Sequence, residues 1–282
     1  MTTVLVGAGG QLGRALQQKF PDVVALDRAA LDVSDPAAVR NFDWSAVDII
    51  LNAAAYTKVD AAEDPANLAA VRAANVDAVG YLARAVRTSG ATLVHVSSEY
   101  VFDGKREGPH PEDWPANPLS VYGRSKADGD TQASYVAKHY LMRTTWLVGD
   151  GGNFVATMAS LADRGVQPAV VADQIGRPTF TTDLAAGIRH LVETRAPFGT
   201  YNLTNDGDPV SWADLAAAVY EARGRAADDV RRVSTEEYFA DKPGAAPRPL
   251  NSVLDLLKIT AAGFRPRSWR DALAEYLADS PT

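Results

Sequence analysis

Tyr122 and Lys126, in the run Val121-Tyr122-Gly123-Arg124-Ser125-Lys126, stand four residues apart and can do proton chemistry together if the run is helical. Four residues is about one helical turn, so both side chains lie on one face. A free phenol titrates near pH ~10 and is a poor acid-base group at neutral pH. A fixed ammonium beside it favours the phenolate and is expected to lower the pKa of Tyr122. Such a pair suits reversible proton transfer to a carbonyl oxygen. Tyr and Lys also meet at this spacing on ordinary solvated helices, so the pair gains meaning only from what accompanies it.

The first companion is a glycine pattern. Gly7-Ala8-Gly9-Gly10-Gln11-Leu12-Gly13 places glycines at 7, 10 and 13, between an expected strand and an expected helix. Glycine tolerates the backbone angles of such a turn, and a close phosphate contact leaves no room for a Cβ. The helix start then directs unpaired N–H groups and a positive dipole end at a pyrophosphate. Asp27 follows Gly7 by twenty residues, where a carboxylate can bind an adenosine ribose. A lone glycine turn is often only a turn, but strand, helix and acid together favour a dinucleotide. Asp27 suits a free 2′-hydroxyl, whereas Arg28 suits a 2′-phosphate. Asp32 is open to two readings, an adenine contact or a cap for the helix begun near Asp35-Pro36. NADP(H) is the first choice of cofactor and NAD(H) the second.

The other companion is Ser98, in Ser97-Ser98-Glu99-Tyr100 at the end of an expected fourth strand. Ligands of open parallel sheets bind beyond the carboxyl ends of the strands. Ser98 there can hold a substrate carbonyl while Tyr122 donates a proton and Lys126 binds the nicotinamide ribose. Serines at strand ends more often satisfy backbone groups, so this role rests on the convergence of the three.

The elements that must position these residues alternate. Strands are expected at 2–6, 23–26, 48–51, 93–96 and 140–142, and helices at 11–19 and 65–88. Leu68, Val71, Val79, Leu82 and Val86 give the longer helix its apolar face, with Pro65 in its first turn and Gly90 at its end. Apolar strands separated by helices predict a Rossmann-type, doubly wound parallel sheet. Residues 103–118 read as a long loop ahead of the Tyr-Lys helix. Beyond residue 150 the alternation fades. Helices are expected near 153–164, 182–194, 212–223 and 268–278, with a short strand at 199–203. The division is a nucleotide-binding domain at 1–150 and a smaller α/β substrate lobe at 151–282, with an interleaved boundary.

Composition sets the limits. A chain of 282 residues can bury a large core. A net charge of -7 argues against a nucleic-acid partner. With no cysteine, thiolate metal sites and cysteine nucleophiles are excluded, and His95, His110, His139 and His190 lack the spacing of a helical zinc site. No metal is expected. No apolar run reaches the ~18 residues of a spanning helix, and the N-terminus does not read as a signal peptide, so the expected location is the cytoplasm, away from any membrane.

The glycine pattern, Ser98 and Tyr122-xxx-Lys126 resemble the extended short-chain dehydrogenase/reductases. Finer runs resemble one family within them, the dTDP-4-dehydrorhamnose reductases. They are Asn52-Ala53-Ala54-Ala55-Tyr56-Thr57-Lys58-Val59-Asp60, Ser98-Glu99-Tyr100-Val101-Phe102-Asp103-Gly104, Arg143-Thr144-Thr145-Trp146, Gly152-Asn153-Phe154, Asp173-Gln174-Ile175-Gly176-Arg177-Pro178-Thr179 and Arg248-Pro249-Leu250-Asn251-Ser252. The resemblance implies NADPH-dependent reduction of a dTDP-linked 4-keto sugar, dTDP-4-dehydro-L-rhamnose, at C4. It implies a cofactor site of Gly7, Gly10, Gln11, Leu12, Gly13, Asp27, Arg28, Asp32, Val33, Ala53, Ala54, Ala55, Tyr56 and Thr57, with Tyr122 and Lys126. It implies substrate contacts from Ser98, Glu99, Tyr100, Trp146 and Asn153. An aromatic after a strand is as often core packing, which is the competing role for Trp146.

Two departures stand out. The family commonly has Asp where this chain has Glu99. Some relatives carry an acid early in the first helix for a metal-bridged dimer, and Gly13-Arg14-Ala15-Leu16 has none, leaving a monomer or a homodimer without that metal. Two competing functions follow the same scaffold: a non-catalytic regulatory subunit similar to that of methionine adenosyltransferase, and an epimerase or dehydratase using Glu99 as an acid. The complete Ser98, Tyr122 and Lys126 set, with Trp146, favours the reductase.

Overall fold

The computed structural model describes residues 1–279. Six parallel strands form the main sheet: β1 (Thr3–Val6), β2 (Val24–Leu26), β3 (Ile49–Asn52), β4 (Thr92–Ser98), β5 (His139–Thr144) and β10 (Gly199–Asn202). Their order is β10-β5-β4-β3-β1-β2. Val4 sits beside Val24 and Ile50, and Ile50 beside Leu93, so each central strand buries both faces.

Helices cover each face. On one, α1 (Gln11–Lys19) and α7 (Thr181–Thr194) pack together, with Leu12, Leu16, Leu184, Ile188 and Leu191 buried against Leu5, Leu51 and Met142. On the other, α2 (Pro36–Asn41), α4 (Ala78–Ser89) and α5 (Val121–Ser134) cover Val4, Val6, Ile50 and Leu93. Asp35, not Asp32, caps α2, accepting from the Ala37 amide at 2.8 Å. Gly90 ends α4 in the left-handed conformation its φ of 79° requires.

The expected helix over 65–88 is interrupted. A 3₁₀ turn (Pro65–Asn67) leads into α3 (Leu68–Arg72), then a π-helical segment (Ala73–Asp77), then α4. Apolar periodicity does not register this break, because the π turn serves polar contacts of Asn75. Its Oδ1 accepts from the Tyr56 amide at 2.8 Å, and its Nδ2 donates to the Tyr56 carbonyl at 3.1 Å and to Ser125 Oγ at 2.9 Å.

Beyond β5 the chain builds a smaller lobe and then returns. Short strands β6 (Leu147–Val148) and β9 (Thr179–Phe180) pair, as do β7 (Ala169–Val171) with β12 (Arg231–Val233), and β8 (Ile175–Gly176) with β11 (Val210–Ser211). Helices α6 (Phe154–Asp163), α8 (Trp212–Ala222) and α11 (Trp269–Asp279) enclose a third core of Val155, Phe180, Leu215, Val219 and Trp269. Helix α9 (Thr235–Phe239) and helix α10 (Leu257–Ala261) are short. Helix α7 and strand β10 belong to the main sheet layer although they follow residue 150, since β10 bonds β5.

Candidate active site

Strands β1, β3, β4 and β5 end on one side of the sheet, and their following turns border a long cleft. Its inner part, about 410 Å3, is lined by Gln11, Leu12, Ser98, Glu99, Tyr100, Tyr122, Lys126 and Trp146, among others. Its outer part, about 450 Å3, is lined by Gly7, Arg28, Asp32, Val33, Ala54 and Tyr56, among others. Gly10, Ala53 and Ala55 border both, so the two parts are continuous, and Thr57 lines the inner one.

The outer part fits a dinucleotide on two observations. A Cβ on Gly7 would stand 2.5 Å from the Ala54 nitrogen, and one on Gly13 2.3 Å from the Gly7 carbonyl oxygen, so the turn is closed tightly onto β3 and α1. Helix α1 has Gly10 at its N-cap, no side-chain cap and no acid in its first turn. Its first amides therefore stay available to an anion. Gly13 serves this packing from beneath and does not line the cleft. Gln11 adds a buried Oε1 without a partner in the protein, while its Nε2 donates to the Gly152 carbonyl at 2.8 Å.

Two residues expected to contact a ligand make hydrogen bonds within the protein. Asp27 does not line the cleft, and its Oδ1 accepts from the Ala29 and Ala30 amides at 3.0 and 2.9 Å. Arg28 and Asp32 do line it, paired with each other at 3.1 Å. Asn153 caps α6 through the Ala156 amide at 2.9 Å and spends its Nδ2 on the Gly149 and Gly151 carbonyls and the Tyr276 hydroxyl. An Asn before a helix has this role by default.

The chemistry-bearing residues come from β4 and α5. Ser120 caps α5, accepting from the Gly123 amide at 3.0 Å, which places Tyr122 in the first turn. Ser98 ends β4, and its hydroxyl reaches the Tyr122 phenol. Lys126, 2% exposed, donates from Nζ to the Val96 carbonyl of β4 at 2.7 Å. Burial pushes Lys126 down to about 8, with Asp130 opposing. Burial also pushes Tyr122 up, and the Glu99 charge adds to this, against the Ser98 hydrogen bond. This overturns the expectation that Lys126 lowers the phenol: desolvation wins, and Tyr122 is held in its protonated, proton-donating form. Burial pushes Glu99 up to about 7, against the hydrogen bond from Ser98.

Further support comes from residues whose sequence context carried little signal. Asn52, buried at the end of β3, accepts from the Ala54 amide at 3.1 Å and donates to His95 Nδ1 at 3.1 Å. His95 is therefore neutral, with Nδ1 the acceptor, and burial keeps its pKa well below the usual range. Trp212 stacks on Trp146 with ring centroids 3.8 Å apart, and both line the cleft. Trp146 has a φ of 37°, rare for a bulky residue, and its indole occupies the space where Gly176 lacks a Cβ. Nothing in the sequence around Trp212 distinguished it from a core residue of an amphipathic helix.

Residues 1–281 match the family described as RmlD substrate binding domain. Among curated relatives, the chain is 40% identical to the spore coat polysaccharide biosynthesis protein SpsK of Bacillus subtilis, over 99% of this chain and 98% of the relative. It is 39% identical to a dTDP-4-dehydrorhamnose reductase of Aggregatibacter actinomycetemcomitans, over 96% of each. Among solved structures it resembles the dTDP-4-dehydrorhamnose reductase of Bacillus anthracis in complex with NADP, with a TM-score of 0.91, 33% identity, and coverage of 99% of this chain and all (100%) of that one.

Proposed function

The chain belongs to the RmlD substrate binding domain family, and from that premise we propose that it is an NADPH-dependent reductase acting on the C4 keto group of dTDP-4-dehydro-L-rhamnose to give dTDP-L-rhamnose. The observation that carries this reading is the shared cleft: Ser98, Tyr122 and Lys126 border one space that is continuous with the glycine turn. NADP(H) is the first cofactor because Arg28 lines the outer part, and NAD(H) is the second.

Gly7, Gly10, Arg28, Asp32, Val33 and the Ala53–Thr57 turn would hold the dinucleotide, which when bound supplies hydride to C4. The phenolic proton of Tyr122 goes to the keto oxygen as the C4–H bond forms, so a carbonyl, a hydride and a proton become an alcohol. Lys126, as an ammonium, stabilises the phenolate left behind and binds the ribose. Ser98 holds the keto oxygen beside Tyr122. Glu99 and Tyr100 border the sugar, and the Trp146–Trp212 stack walls it and excludes water. The lobes divide near residue 150, with α7 and β10 contributed back to the nucleotide-binding side.

Among the described residues, no helix is long and apolar enough to cross a membrane. We place the enzyme in the cytoplasm, as a monomer or homodimer. The test is NADPH oxidation by purified protein given the 4-keto sugar nucleotide, with dTDP-L-rhamnose identified as product. Cofactor binding without turnover on any 4-keto sugar nucleotide would instead support a regulatory subunit.

A further inference from the structure

Ser98 carries one proton, and two groups compete for it. A hydroxyl offers a single donor and two acceptor sites. In the structure that donor goes to Glu99 Oε2 at 2.6 Å, and the Tyr100 amide fills one acceptor site at 3.2 Å. Ser98 and Glu99 are both buried, and both line the inner cleft, so no exposed route offers either an easy substitute partner. A keto oxygen placed beside Tyr122 can only accept, and it needs the same Ser98 proton.

The charge on Glu99 sets the direction of the bond between them. An ionised carboxylate only accepts, so it takes the Ser98 proton and leaves a lone pair facing the substrate. A protonated carboxyl also donates. It can give its O–H to the second acceptor site of Ser98, which frees the Ser98 O–H for the keto oxygen. Burial favours the protonated form and outweighs the Ser98 hydroxyl and the Glu99 and Tyr100 amides, which favour the charged one. Glu99 is faced from α5 by Tyr122 and Lys126 and on its own turn by Tyr100, while α1, the turn after β5 and α8 bring neutral groups such as Gln11, Thr145 and Trp212. The Lys126 ammonium is turned to the Val96 carbonyl, and His95 to Asn52. Asp130 pairs with Arg143, and beyond Tyr100 Asp60 pairs with Arg248. None of these cations is a cause of the Glu99 shift, so no ion pair fixes its charge.

We propose that Glu99 is a positioning residue for the reduction: protonated, it releases the Ser98 hydroxyl to the keto oxygen, and ionised, it withholds it. This rests on the reductase reading and gives a role to the Glu that stands where the family commonly has Asp. No proton leaves Glu99 during turnover, because the product alcohol still takes its proton from Tyr122. The effect of Glu99 passes through one hydroxyl, and donors aimed at a developing oxyanion act only while they point at it.

The test measures kcat/KM of the full chain, saturated with NADPH, against pH with the 4-keto sugar nucleotide. The Glu99 carboxyl is followed in parallel by its infrared carbonyl band, assigned as the band lost in Glu99→Gln. The pH dependence of kcat/KM reports the groups of the form that meets substrate. In the wild type it should fall from pH about 7 together with the band, and Lys126 should add a second fall above about 8. Glu99→Gln supplies a permanent N–H donor to Ser98. Whatever its absolute rate, its fall should begin about one pH unit later, at the Lys126 limit. In Ser98→Ala the residual rate should no longer follow the band. NADPH titration checks that both variants fold. A wild-type profile flat through pH 7, or a fall that Glu99→Gln does not move, overturns the proposal. So does a residual rate in Ser98→Ala that still falls with the band, which would make Glu99 act on Tyr122 directly by its charge. Absence of turnover at every pH sinks the reductase reading and this proposal together, whereas turnover indifferent to the Glu99 band sinks this proposal alone.

Discussion

The Ser98 hydroxyl donates to Glu99 Oε2 at 2.6 Å, while the Tyr100 amide donates to the same Ser98 oxygen at 3.2 Å. With its proton committed to Glu99, Ser98 has none yet for a substrate carbonyl. Glu99 is 2% exposed, and its carboxyl is pushed up to about 7 by burial. Its protonation thus belongs to the resting chemistry of the site.

The stability of the protein should register that buried acid. A raised carboxyl pKa means the folded state holds its proton more tightly than the unfolded one, so stability is full below about 4.5 and is lost as pH rises to about 7. The total is on the order of 3 kcal/mol. Glu99→Gln should flatten this slope, which urea unfolding at several pH values measures. A slope unchanged in the variant would show that the carboxyl is not the source.

Lys126 sets the opposite limit. Its ammonium is pushed down to about 8 by burial, so the folded state gives up its proton earlier than the unfolded one. The stability cost of burying the charge is full below about 8 and is relieved between about 8 and 10.5. Activity should move the other way. Because Lys126 must be charged to steady the phenolate, kcat/KM for reduction should fall above pH about 8, with cofactor binding followed separately.

Tyr122→Phe removes the proton donor and little else, since the ring keeps its contact with Tyr100. The rate should fall by about 10²–10⁴, the usual size of a general-acid contribution. NADPH affinity should stay within about threefold and the melting temperature should not drop, because a buried hydroxyl whose pKa is raised by desolvation contributes little to stability. A variant retaining most of its rate would remove Tyr122 from the mechanism.

Trp212→Ala should affect substrate and spare cofactor. The indole stacks on Trp146 at 3.8 Å and meets Phe154 at 4.6 Å, and it borders only the inner cleft. Loss of the stack forfeits about 0.5–1.5 kcal/mol beyond buried area. The substrate KM should rise about threefold to tenfold, and NADPH titration should be unchanged. Equal losses for both ligands would mean that the lobe itself has shifted.

Legibility in the sequence followed physical simplicity. The parallel sheet was readable because strands buried on both faces are continuous apolar runs, as at Ile49–Leu51 and Leu93–Val94. The glycine turn and the Tyr122–Lys126 pair were readable because their backbone and spacing are local. The sign of the Tyr122 shift was not, because desolvation depends on everything packed around the ring. The protein contacts of Asp27 and Asn153 have a related cause: short polar side chains satisfy nearby amides first. Trp212 meets the site only through tertiary folding, and no local pattern gives that away.

The π turn at buried Asn75 is a tightly packed joint of this arrangement, and Gly129 tests it. A Cβ on Gly129 would lie 2.2 Å from the Asn75 carbonyl oxygen, a backbone atom that cannot swing aside. Gly129→Ala must push α5 away from the π segment. That movement strains the three Asn75 side-chain bonds that tie Tyr56, at the cofactor side, to Ser125, between Tyr122 and Lys126. Overpacking of this kind costs about 1–3 kcal/mol. Asn75→Ala, which leaves buried partners unsatisfied, should cost about the same. Because both act through one joint, the double variant should lose less stability than the two singles added, a coupling that a double-mutant cycle reads directly. NADPH affinity and turnover should fall together in each single variant. Additive losses would mean that α5 and the cofactor turn are held independently, and that the π segment has no part in aligning them.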